Sequence, residues 1–137
     1  MVLVDTPVWS LVLRRRTMDL SLEQEEFKQA LGELISGGRA QLLGPIRQEL
    51  LSGVREEAQF RRLRHHLRAF DDAELRTEDY EEAARMSNHC RSRGIASSPV
   101  DMLLCAVASR RPWPIFTTDR DYLLYSKLLP IHLYQPV

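Results

Sequence analysis

The sequence predicts a single α/β domain over residues 1-137, with a mostly parallel central sheet flanked by helices in an α/β/α sandwich. Short apolar runs alternate with helical segments, and neighbouring parallel strands need long, usually helical, crossovers. A chain of 137 residues, 44% hydrophobic and 28% charged, can bury one core and lies outside the composition of disordered proteins. No internal repeat, low-complexity tract or linker divides it.

Val2-Leu3-Val4 is an apolar run ended by Asp5-Thr6-Pro7, which reads as a buried strand leading into a helix with proline in its first turn. From Ser21 to Gly37, Ser21 and Gln24 stand at capping-box spacing. Phe27, Leu31, Leu34 and Ile35 share a face there, and Gly37-Gly38 stops the helix. Ala40 to Leu43 is a second strand. Gly44-Pro45 then opens a helix whose Ile46, Leu50 and Val54 recur every four residues, with Glu49 beside that stripe. Glu56 to Phe70 and Thr77 to Arg93 are highly charged and predict two outer helices, the second capped by Thr77 and stopped by Gly94. The helix that Ser98-Pro99 starts is apolar nearly all round through Ala108, so it belongs at the centre. Ile115-Phe116-Thr117 is a strand ended by Thr118-Asp119, a helix runs from about Arg120 to Leu128, and Ile131 to Tyr134 predicts a terminal edge strand.

Net charge is zero, 19 basic against 19 acidic residues, so the molecule has no overall attraction to nucleic acid and any such contact must be local. The basic residues are nearly all arginine, whose planar fork suits phosphate, with Lys28 and Lys127 the lysines. Cys90 and Cys105 lack paired CxxC spacing and read as reduced thiols. Neither a signal-like segment nor a run of membrane-spanning length is present, so a cytoplasmic protein without membrane contact is expected.

Four acidic residues share one context. Asp5 and Asp119 each follow an apolar strand, Asp101 lies in the first turn of the apolar helix, and Glu49 lies early in another. In an open α/β sheet, strand C-termini and the helix starts after them gather along one edge, where such folds place their sites. Each residue taken singly also suits a helix cap or the helix dipole. Asp101 resists that explanation, because it shares a face with Leu104, Cys105 and Ala108, and a buried carboxylate needs a partner or a cation. All-oxygen donors select a hard cation, Mg²⁺ or its substitute Mn²⁺, which can activate water and neutralise charge at phosphorus. The hydroxyls of Thr6, Thr117 and Thr118 can orient such donors.

In these residues the chain resembles the PIN-domain nucleases, and within them the VapC-type toxins of bacterial and archaeal toxin–antitoxin pairs. The likeness spans essentially the whole chain, as a single PIN-like domain. It rests on Val2-Leu3-Val4-Asp5-Thr6 with Trp9, on Glu49-Leu50, on Gly94 to Asp101 with the helix after it, and on Thr117-Thr118-Asp119-Arg120-Asp121-Tyr122. It implies that Asp5, Glu49, Asp101 and Asp119 are the metal-binding carboxylates, that Thr117 is the hydroxyl near the last of them, and that Asp121 has a supporting role. The implied activity is Mg²⁺-dependent endoribonuclease cleavage leaving a 5′-phosphate and a 3′-hydroxyl. A homodimer and a cognate VapB-like antitoxin in the active-site groove are implied with it. Pro7 stands where the family usually has Ser or Asn, and Tyr122 replaces the commoner Phe.

Arg14, Arg15 and Arg16, close behind Asp5, are the preferred candidates for RNA contact. Arg61, Arg62, Arg64 and Arg68 and the pairs Arg91/Arg93 and Arg110/Arg111 are others. Trp9 and Trp113 suit either a core or an interface. His65, His66, His89 and His132 lack ligand spacing. A phosphatase or phospho-acceptor receiver is disfavoured, because Asp5 is followed by Thr6-Pro7-Val8 rather than a second Asp two residues on, and no lysine follows a late strand. The remaining alternative is a non-catalytic PIN-fold module that binds RNA or protein.

Overall fold

The computed structural model describes residues 1–13 and 19–136. Among them β1 (Val2–Val4), β2 (Ala40–Gln41) and β3 (Ile115–Phe116) form a three-stranded sheet of order β2-β1-β3, with both pairings parallel. Seven described helices surround it: α1 (Thr6–Leu13), α2 (Leu22–Ser36), α3 (Gly44–Leu51), α4 (Glu57–Leu67), α5 (Thr77–Ser92), α6 (Pro99–Arg110) and α7 (Asp121–Leu128). This is the predicted α/β/α sandwich. Val2, Leu3 and Val4 are completely buried, as the middle strand of a covered parallel sheet requires.

The helix boundaries follow local chemistry. Ser21 and Gln24 make both bonds of the capping box, Gln24 N–H to Ser21 Oγ at 3.1 Å and Ser21 N–H to Gln24 Oε1 at 2.9 Å. Gly94, with φ +73°, ends α5 by letting Ile95 N–H donate to Cys90 O at 2.9 Å. α5 opens differently from the expectation. Thr77 is its first residue rather than its cap, and Asp79 Oδ2 accepts from Arg76 N–H at 2.9 Å.

The edges of the sheet also differ. Ile131 to Tyr134 forms a single parallel bridge, Leu133 to Ile115, with Ile115 N–H donating to His132 O and Tyr134 N–H to Ile115 O. Pro130 and Pro136, which lack the N–H that a longer ladder would use, confine it. On the other edge Leu42 bridges Asp72. Arg47 ties α3 to that edge, donating to Asp72 Oδ1 and to the carbonyls of Leu67 and Phe70.

Trp9 is core, with no exposed surface. Its Nε1 donates to Val4 O at 3.0 Å, and its ring meets Phe70 edge-on at 4.9 Å. Trp113 is half-buried under the Arg111 guanidinium. Cys90 and Cys105 are buried free thiols, and α6 is the central helix its composition predicts. α4 and α5 are less purely outer elements than their charge suggests, since Leu63, Leu67, Ala83, Met86 and Cys90 enter the core.

Candidate active site

β1 delivers Asp5 to the C-terminal end of the middle strand. Asp5 N–H still pairs with Phe116 O at 2.9 Å, and its own carbonyl accepts from Val8 and Trp9 as α1 begins. Proline at position 7 fits here, because the second residue of a helix needs no N–H partner. The Asp5 side chain is 5% exposed. Thr6 N–H donates to Oδ1 at 2.9 Å and Thr117 Oγ1 to Oδ2 at 2.8 Å. Burial nonetheless pushes its pKa up to about 6, against those two donors, and the charges of Asp101 and Glu49 push in the same direction.

Thr117 follows β3 and links two carboxylates. Its hydroxyl donates to Asp5 and accepts from Asp119 N–H at 3.0 Å. Asp119 Oδ1 in turn accepts from Asp121 N–H at 2.9 Å at the start of α7. Asp121 thus supports Asp119 through its backbone, while its side chain is exposed. Glu49, on an exposed face of α3, accepts from Thr6 Oγ1 at 2.6 Å. Asp101 enters from the first turn of α6, where Ser98 Oγ caps its N–H at 3.0 Å. Its two oxygens accept from Tyr122 and Tyr125, each at 3.1 Å. Burial raises the Asp101 pKa, and the charge of Asp119 adds to it.

Asp5 therefore lies within electrostatic reach of Asp101 and Glu49, and Asp101 of Asp119, each held by hydroxyl or backbone donors and none by an arginine or lysine in the described bonds. Among the described residues no three His, Cys, Asp or Glu side chains are drawn together tightly enough to enclose an ion. A cavity of about 590 Å³ adjoins Asp119, with Pro7, Gln24, Phe27, Thr118 and Arg120 among its walls.

Arg14, Arg15 and Arg16 lie outside the described residues. Arg110 and Arg111 are not a phosphate grip. Arg110 Nε and Arg111 bind Asp79 at 2.8–2.9 Å, and Arg111 also donates to Glu74 O. Asp79 is fully buried, and Arg111 holds its carboxyl well below the usual carboxylate range. Sequence reasoning passed over Asp79, although it extends the Ala83, Met86 and Cys90 stripe of α5 by one turn, as Asp101 does on α6. His65, His66, His89 and His132 are all exposed.

The PIN domain family profile matches residues 2–128. No match was found among curated proteins. Among solved structures the chain is similar to FitAcB from Neisseria gonorrhoeae, with a TM-score of 0.77 at 18% identity over 99% of this chain and 98% of that one. It is similar also to VapBC2 from Rickettsia felis bound to a DNA fragment from their promoter, with a TM-score of 0.72 at 11% identity over 98% of both chains. A member of the VapBC family of toxin-antitoxin systems from Mycobacterium tuberculosis has a TM-score of 0.66 at 16% identity, over 98% of this chain and 97% of that one. At these identities the likeness is one of fold.

Proposed function

Because the chain belongs to the PIN domain family, we propose that it is a metal-dependent endoribonuclease and the toxin of a VapBC-type toxin–antitoxin pair. The observation that carries this reading is Asp5. A carboxylate at the end of the middle strand is kept 5% exposed with only neutral donors, and faces two further carboxylates. That placement is costly for a purely structural residue and suits one that meets a cation.

The donor chemistry fits Mg²⁺, or Mn²⁺ in its place: Asp5, Asp101 and Asp119, with Glu49, offer oxygen alone. When bound, the ion supplies Lewis-acid activation of water and offsets charge at phosphorus. Thr117 fixes Asp5 relative to Asp119, and Thr6 holds Glu49 toward the same edge. Backbone support from Asp121 steadies Asp119. An RNA strand lying along the cavity beside Asp119 would meet Gln24, Thr118 and Arg120. Arg14, Arg15 and Arg16 remain candidates for phosphate contact from the sequence alone. The products are a 5′-phosphate and a 3′-hydroxyl. The reading includes a homodimer and a VapB-like antitoxin, the latter supported by the likeness to toxin–antitoxin structures.

The test is cleavage of a structured RNA pool in Mg²⁺ or Mn²⁺, against EDTA and against Asp101→Asn purified identically. Metal-dependent cleavage absent from the variant is the expected result. Equal cleavage by the variant would refute the site. A second reading, a non-catalytic PIN-fold module that binds RNA or protein, draws on the separation of the carboxylates. RNA binding without cleavage, together with no calorimetric Mg²⁺ or Mn²⁺ signal, would favour it.

A further inference from the structure

Asp101 is held in an unusual way. Both of its carboxylate oxygens accept from tyrosines of one helix, Tyr122 to Oδ1 and Tyr125 to Oδ2, each at 3.1 Å. The two phenols belong to the core, Tyr122 with no exposed surface and Tyr125 with 1%. Their rings brace each other edge-on at 5.1 Å. Neither hydroxyl has another hydrogen-bond partner among the described residues, so each phenol is committed to Asp101.

We propose that Tyr122 and Tyr125 are positioning residues that hold Asp101 in the orientation in which it receives the divalent cation, an inference that rests on the nuclease reading above. A carboxylate has about four acceptor positions, so two phenol bonds leave places on both oxygens for a cation. Ser98 fixes the backbone end of the same residue through its N–H. The side chain is therefore restrained at both ends before a cation arrives, and less ordering remains to be done on binding. Groups in this relation to a metal ligand set its direction and donor strength, and their removal weakens metal binding about 10–100-fold.

Tyr→Phe removes only the hydroxyl and preserves the ring packing. Mg²⁺ binding would be measured calorimetrically on the wild type, Tyr122→Phe, Tyr125→Phe and the double variant, each checked by near-ultraviolet circular dichroism. RNA cleavage would be followed against Mg²⁺ concentration on the same proteins. The double variant is expected to bind Mg²⁺ about 10–100-fold more weakly, with a smaller loss in each single variant. Cleavage by these variants should recover at raised Mg²⁺, whereas Asp101→Asn stays inactive at every concentration. Should the double variant fail to fold, the two single variants carry the test. Unchanged Mg²⁺ affinity in folded Phe variants would overturn the positioning role and leave the nuclease reading standing. A wild type that binds neither Mg²⁺ nor Mn²⁺ would overturn both.

Discussion

Asp5→Asn should stabilise the metal-free protein at neutral pH and weaken it slightly in acid. The Asp5 pKa lies at about 6 in the folded chain against the usual 3.8, so folding binds its proton more tightly than the unfolded chain does. Below pH 4 the group is protonated in both states and exacts no penalty. Between pH 4 and 6 the unfolded chain ionises first, and stability falls as pH rises. Above pH 6 the full penalty is present, about 3 kcal/mol from this group alone at about 1.4 kcal/mol per pH unit. Asparagine removes the charge but offers one oxygen to two donors, Thr6 N–H and Thr117 O–H, which returns about 1 kcal/mol. The net gain at pH 8 is thus about 2 kcal/mol. Urea titrations of both proteins in EDTA, from pH 3 to pH 8, would show the variant about 1 kcal/mol weaker in acid, the curves crossing between pH 4 and 6, and the variant about 2 kcal/mol stronger at pH 8. A variant equal to or weaker than the wild type at pH 8 would refute the claim that burial strains this carboxylate.

Saturating Mg²⁺ should raise the melting temperature of the wild type and leave that of Asp5→Asn nearly unmoved, a contrast that differential scanning calorimetry would read. Replacing Asp79 by Ala should cost about 3 kcal/mol, the low end for a broken buried ion pair, because the Arg110 and Arg111 side chains keep 38% and 20% of their surface in solvent. Urea unfolding at pH 7 checks it, and a loss below 1 kcal/mol would show that the pair is idle. Thr117→Val should cost about 1–2 kcal/mol by stripping a donor from Asp5 and an acceptor from Asp119 N–H, and should raise the Asp5 pKa further in a carbon-detected NMR titration. Gly94→Ala, at φ +73°, should lose about 1 kcal/mol in the same unfolding assay.

Most of the helices and the middle strand were legible because their signals are local. Ser21 with Gln24, Gly94 and the three-residue run before Asp5 act within a few residues of themselves. The edge at Ile131 to Tyr134 was not, because a strand exists only where a neighbour pairs along its length, and here one bridge forms. Asp5, Asp101 and Asp119 were legible from positions at strand ends and helix starts, whereas Glu49, expected early in its helix, lies in the last turn of α3 and comes to Asp5 through Thr6. Their actual partners divide by the same logic. Thr117 sits two residues from Asp119 and could be named, whereas Tyr122 and Tyr125 reach Asp101 from 21 and 24 residues away along the chain. Arg110 and Arg111 were offered as candidates for RNA contact because their anion, Asp79, lies about 30 residues upstream and hides on an apolar stripe.

The placement of β1 at the middle of the sheet has a consequence for the order in which the protein can be made. Its partners are Ala40 and Gln41 on one side and Ile115 and Phe116 on the other, and Asp5 reaches Thr117 across 112 positions of sequence. During synthesis, which proceeds from the N-terminus, residue 5 must wait for residues 117 to 119 before its second donor and Asp119 exist. A growing chain on the ribosome therefore carries no assembled carboxylate centre. The centre is thus a product of the folded domain and of no shorter piece of it, since its members come from both ends of the described fold.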